Sequence, residues 1–149
     1  VFEGDRSGVD ALWRTLVELD WPGLGFPTDM GGVGMGLVET AVVVEALGRV
    51  VAPGPYLATV TQLGALLRSC GSGPIADVAA GSVTGAVAWA SAVTATADGH
   101  GWVLSGTAPL VLDGATADVV AVVTDAGVFL VPGSSVTATP LEVIDPTLP

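Results

Sequence analysis

The sequence predicts an α+β fold, with an N-terminal helical domain over residues 1–83 followed by a small antiparallel β-barrel or sandwich domain over residues 84–149. Three observations carry this reading. The apolar residues follow helical spacing up to about Thr84, and after it they fall into short runs of Val, Thr, Ala and Leu parted by Gly, Asp and Pro. The charge changes at the same place: nine acidic residues and four arginines lie before it, six acidic residues and no base after it. Half of the 149 residues are apolar, which supplies a core and excludes a disordered chain.

The first helix is expected to start at Ser7, a capping residue with Asp10 at the positive end of the dipole. Val9, Leu12, Trp13, Leu16 and Val17 then form one apolar stripe, and Trp21-Pro22-Gly23 stops it. A Gly/Pro-rich loop runs from Gly23 to Gly36. The second helix fits Leu37 to Arg49, with Leu37, Ala41, Val44 and Gly48 on its inner face and a Glu45–Arg49 pair four residues apart. Pro53 and Pro55 end that segment. A third helix runs from about Ala58 to Cys70, with Leu63, Leu66 and Leu67 as its core face and Gly71 as its stop, and a minor one from Pro74 to Ala80. The predicted strands are Gly85–Ser91, Val93–Ala97, Gly101–Ser105, Ala108–Leu112, Asp118–Thr124, Val128–Val131 and Val136–Thr139. Asp98-Gly99-His100-Gly101 supplies a hairpin turn between two of them.

The net charge of −11, without a single lysine, excludes nucleic-acid binding and docking on an anionic membrane. No apolar run reaches the roughly 18 uninterrupted residues of a membrane span. The first residues, Val1 to Asp5, are not a signal peptide, and with one cysteine a reducing, cytoplasmic location is expected. One cysteine (Cys70) and one histidine (His100) build neither a zinc site nor a Cys-His nucleophile pair, so no metal and no catalytic residue is assigned. Gly31-Gly32-Val33-Gly34-Met35-Gly36 has neither the spacing nor the preceding strand of a dinucleotide loop and reads as a connector.

Two groups of motifs resemble a known family. Leu19-Asp20-Trp21-Pro22-Gly23-Leu24-Gly25-Phe26-Pro27, Gly31 to Gly34, Glu45-Ala46-Leu47-Gly48-Arg49 and Ala52-Pro53-Gly54-Pro55 resemble the N-terminal helical domain of the acyl-CoA dehydrogenases. Gly101-Trp102-Val103-Leu104-Ser105-Gly106, Ala117 to Val122 and Leu141 to Thr147 resemble landmarks of that family's middle β-domain, in the same order.

The resemblance implies FAD as cofactor, an acyl-CoA substrate, α,β-dehydrogenation of its thioester, a place in fatty-acid or sterol side-chain degradation, and a homo- or hetero-oligomer. It puts the catalytic Glu on a C-terminal bundle that has no counterpart before Pro149. The β-domain is accordingly expected to be incomplete at its C-terminal end, and the chain alone inactive. It places the flavin against Ala88, Trp89, Leu110 and Leu112, where the family's hydroxyl-bearing Thr-Glu-Pro and aromatic-Ile-Thr/Ser segments are replaced by Val87-Ala88-Trp89-Ala90-Ser91 and Leu110-Val111-Leu112. A subunit of an FAD-dependent dehydrogenase and a degenerate, non-catalytic subunit that completes a catalytic paralogue are both compatible with these residues. A same-fold flavin oxidase or monooxygenase is a third reading.

Overall fold

Helix α1 (Ser7–Glu18) forms where the first stripe predicts it, and Leu16 is buried in its last turn while Leu12 and Trp13 pack against the same core. These details come from a computed structural model, which describes residues 7–89, 92–139 and 141. The expected cap by the Ser7 side chain and the motifs over residues 1–6 and 142–147 lie outside what it describes. A short 3₁₀ turn, Trp21–Gly23, opens the loop, and a second, Thr28–Met30, lies within it.

Helix α2 spans Leu37–Arg49, the predicted limits. Its first amide is held by its own third residue: the Gly36 N–H donates to Glu39 Oε2 at 2.8 Å. The inner face differs from the one expected. Thr40 and Val43 are buried, with Val44 and Leu47 beside them, whereas Leu37 is 83% exposed and Ala41 and Gly48 also face outward. The helix is apolar nearly all round, so its pattern alone does not choose a face; packing on the rest of the core does.

The third helix begins as a π-helical segment, Leu57–Gly64, and continues as α3 (Ala65–Cys70), with Leu63 and Leu67 in the core and the Gly71 N–H closing the end on the Leu67 carbonyl. Helix α4 is Ile75–Ala79.

Five strands follow: β1 (Gly85–Trp89), β2 (Thr94–Ala97), β3 (Trp102–Ser105), β4 (Val119–Thr124) and β5 (Gly127–Pro132). The helices-then-strands order is as predicted. β2 and β3 are the expected antiparallel hairpin: Asp98 Oδ1 accepts the His100 and Gly101 amides, and Gly99 takes the positive φ of 87° that the turn needs. β4 and β5 are also antiparallel, but β1 pairs with β4 in parallel, giving a mixed sheet in the order β1-β4-β5. Among the described residues the two sheets do not close into a barrel. Residues 108–112 are not a strand, because Pro109 lacks a donor and the chain turns at 112–116 instead. Residues 136–139 are irregular as well, and Ser91 lies outside the described residues.

The mixed sheet is the middle layer of the molecule. Val87 and Ala121 face the helices, where they join Leu63, Leu67 and Val78. Ala86, Ala88, Val120 and Val122 face the other way, toward Val93 and Leu104 of the hairpin and Ala108 and Val111 of the following loop. Successive residues of a strand point to opposite faces, so the small and β-branched residues of β1 and β4 serve both layers. Thr59, fully buried in the π-helical segment, ties helix to sheet: its Oγ1 accepts the Gly85 N–H at 2.9 Å and donates to the Gly85 carbonyl at 3.2 Å.

Candidate functional site

The four flavin positions expected from the sequence are distributed unevenly around the end of β1. Ala88 is buried, its methyl turned into the layer between sheet and hairpin. Its neighbour Trp89, opposite Val123, ends the strand with 66% of its surface exposed. The loop after the hairpin is fastened to the same layer through Ala108 and Val111, which leaves Leu110 outside at 75% exposure and Leu112 half-buried. The turn that follows is tight. Asp113, at a φ of 56°, accepts the Thr116 and Ala117 amides on its carbonyl, and the Val111 carbonyl accepts the Gly114 amide. Ala88 is buried within the paired strand, while Trp89 and Leu110 offer exposed apolar side-chain surface.

The site contains no cation of its own. Residues 84–149 contain no Lys or Arg. Arg49 is paired with Glu45 at 2.7 Å, and Arg68 donates to the Gly25 carbonyl at 2.8 Å while lying over the Phe26 ring. Asp118 is engaged locally, with Oδ2 accepting both the amide and the hydroxyl of Thr84 at 2.8 Å.

The glycine loop spends its amides on main-chain carbonyls: Val33 on Gly23, Gly34 on Phe26 and Met35 on Leu24. It therefore has no cradle for a phosphate. His100 is exposed in the hairpin turn and Cys70 is exposed at the end of α3. Among the described residues no group of His, Cys, Asp or Glu is placed to hold a metal, and no helix is long and apolar enough to cross a membrane. Burial pushes the Tyr56 phenol up to about 12, and its hydroxyl donates to the Trp21 carbonyl at 3.1 Å. Sequence reasoning missed Thr59 and Tyr56, since a lone Thr or Tyr in an apolar helix gives no sign of its distant partner.

Residues 3–74 match the family model for the acyl-CoA dehydrogenase N-terminal domain. The chain is similar to members of the acyl-CoA dehydrogenase family. Among its curated relatives is acyl-CoA dehydrogenase FadE27 of Mycobacterium tuberculosis, 34% identical over 148 residues that take in 85% of this chain and 39% of the relative. Among solved structures, the ChsE4-ChsE5 complex from Mycobacterium tuberculosis matches 83% of this chain and 38% of its own at a TM-score of 0.71 and 31% identity. An acyl-CoA dehydrogenase complexed with FAD from Bacillus anthracis matches 95% of this chain and 29% of its own, at a TM-score of 0.74 and 26% identity. The chain thus spans well under half the length of each of these proteins.

Proposed function

We propose that this chain supplies the helical domain, residues 1–83, and the middle β-domain, residues 84–149, of an FAD-dependent acyl-CoA dehydrogenase subunit acting on an acyl-CoA thioester. The observation that carries the reading is the likeness in fold to the ChsE4-ChsE5 complex over 83% of the chain, with helices and sheet in the family's order. FAD, when bound, would accept a hydride from the substrate's Cβ. The residues present fit one part of that cofactor. Trp89 and Leu110 give exposed apolar surface on which a flavin ring can pack. They do not fit the diphosphate, which needs cations that residues 84–149 lack. The cations and the proton-abstracting carboxylate are assigned to other parts of the assembled enzyme, and no residue of this chain is assigned a catalytic step.

A non-catalytic subunit completing a catalytic paralogue is the second reading. It is favoured by the apolar side chains at Ala88 and Leu112 and by the surface left open for a partner, including Leu37, Val38, Val42 and Trp89, each more than 60% exposed. Both readings predict that the purified chain does not reduce an artificial electron acceptor with acyl-CoAs of short, long or ring-bearing chains. Turnover would overturn the assignment of the base to another part of the enzyme. Mixing with a catalytic paralogue separates the two readings: a subunit with its own flavin doubles the flavin content of the complex, and a completing subunit leaves it unchanged.

A further inference from the structure

The mixed sheet has two outer edges, and they are finished differently. At β1, Thr59 holds the edge by bonding both the amide and the carbonyl of Gly85, and the π-helical segment lies against the strand. At β5 the edge is open. The Gly133 amide bonds the Asp118 carbonyl, so in the antiparallel ladder Gly127, Phe129 and Val131 turn their polar groups to β4, and Val128, Leu130 and Pro132 turn theirs outward. Among the described residues no partner meets the outward main chain of Val128 or Leu130, and both residues are exposed. Edges of this kind are ordinarily blunted by a lysine, an inward-pointing charge or a bulge, yet residues 126–141 carry no charged side chain.

The occupant such an edge selects is another extended strand, because only a strand repeats N–H and C=O groups at the matching spacing. Its two ends fit a second copy of β5 itself. The Ala126 amide is already taken by Thr124 Oγ1 at 3.2 Å, and Pro132 has no amide to give. The donors left on the edge are therefore those of Val128 and Leu130. A two-fold axis beside Phe129 sets Val128 of one copy opposite Leu130 of the other, so that every open amide finds a carbonyl. The same axis brings the two Phe129 side chains together as a closely spaced cross-strand pair, on the face where Trp102 packs against Phe129 at 5.3 Å. At a net charge of −11 two copies repel each other, and an uncharged edge lets them meet at little electrostatic cost. We propose that β5 is a self-association edge, through which two copies of this chain join their mixed sheets in antiparallel pairing, in the order β1-β4-β5-β5-β4-β1. The contact uses the same surface on both copies, so it closes at the dimer. The inference stands independently of the flavin reading.

The test is sedimentation velocity on the full 149-residue chain from micromolar to near-millimolar concentration. An edge contact buries less than the roughly 1,200 Å² of a standard interface, so a reversible monomer–dimer equilibrium is expected. Leu130→Pro removes one outward amide without touching the ladder to β4, and Val128→Lys puts a charge on the edge; each should weaken the dimer at least about tenfold. Circular dichroism checks that both variants fold, and Val128→Lys decides the matter should the proline variant not. The amides of Val128 and Leu130 should also exchange with solvent more slowly as the concentration rises. The proposal is overturned if the chain stays monomeric throughout, or if the folded variants dimerise as the unchanged chain does. Growth beyond the dimer, or a dimer lost instead in Val38→Asp on the exposed face of α2, overturns it as well.

Discussion

Val51 shows how a single residue can oppose the element it ends. Helix α2 closes with the hydrogen-bond pattern of a Schellman motif: the Ala52 amide reaches the Leu47 carbonyl and the Val51 amide the Gly48 carbonyl. The left-handed position of that motif ordinarily belongs to glycine, and here it holds a branched side chain that is 56% exposed. Val51→Gly should therefore stabilise the chain by about 1 kcal/mol, as read by urea denaturation. Thr59 works in the opposite sense. Its hydroxyl satisfies both polar groups of Gly85 in a buried setting, so Thr59→Val, equal in shape, should cost about 2 kcal/mol in the same assay. Tyr56 adds a pH dependence. Its folded-state pKa of about 12 lies above the unfolded value of 10, so the native state keeps a proton that the unfolded chain gives up. Its contribution is complete below pH 10 and is lost as the pH rises through 12. The loss of stability above pH 10 should be shallower in Tyr56→Phe, measured by denaturation across that range.

At the scale of elements, the limits of α2 were legible because Gly36 and the Val50–Pro55 segment punctuate both ends. Its inner face was not, because Leu37, Val38, Ala41 and Val42 are as apolar as the residues that are buried, and only the tertiary contacts of Thr40 and Val43 decide the matter. The hairpin was readable from Asp98-Gly99-His100-Gly101, whose chemistry is local. The parallel pairing of β1 with β4 was not, since strand runs rich in Val and Ala carry no mark of their partner's direction. Leu110-Val111-Leu112 has the composition of a strand, yet Pro109 and the turn around Asp113 hold it as a loop that presents Leu110 to solvent. The junction of helix and sheet is correspondingly exacting. A Cβ on Gly85 would run into the Leu63 side chain and come within 3.0 Å of the Val119 carbonyl, so Gly85→Ala should destabilise by about 2–3 kcal/mol in thermal or urea unfolding.

In the whole molecule, the helices, the mixed sheet and the hairpin form three layers. The helices cover one face of the mixed sheet and the hairpin covers the other, while Trp89 and Leu110 remain outside. The candidate site was legible as a set of positions only through the family's motif order. Its chemistry was visible as an absence: the polar side chains expected there are replaced by Ala88 and Leu112, and no cation stands in residues 84–149. The net charge of −11 makes the missing cations more costly, because a dianionic linker approaching this surface meets repulsion before contact. The central claim is that this chain holds one part of a flavin site and depends on another part for the rest. Titrating the purified chain with FAD and following flavin fluorescence tests it most directly. A weak, non-saturating change is predicted; a stoichiometric complex of micromolar or tighter affinity would contradict the account.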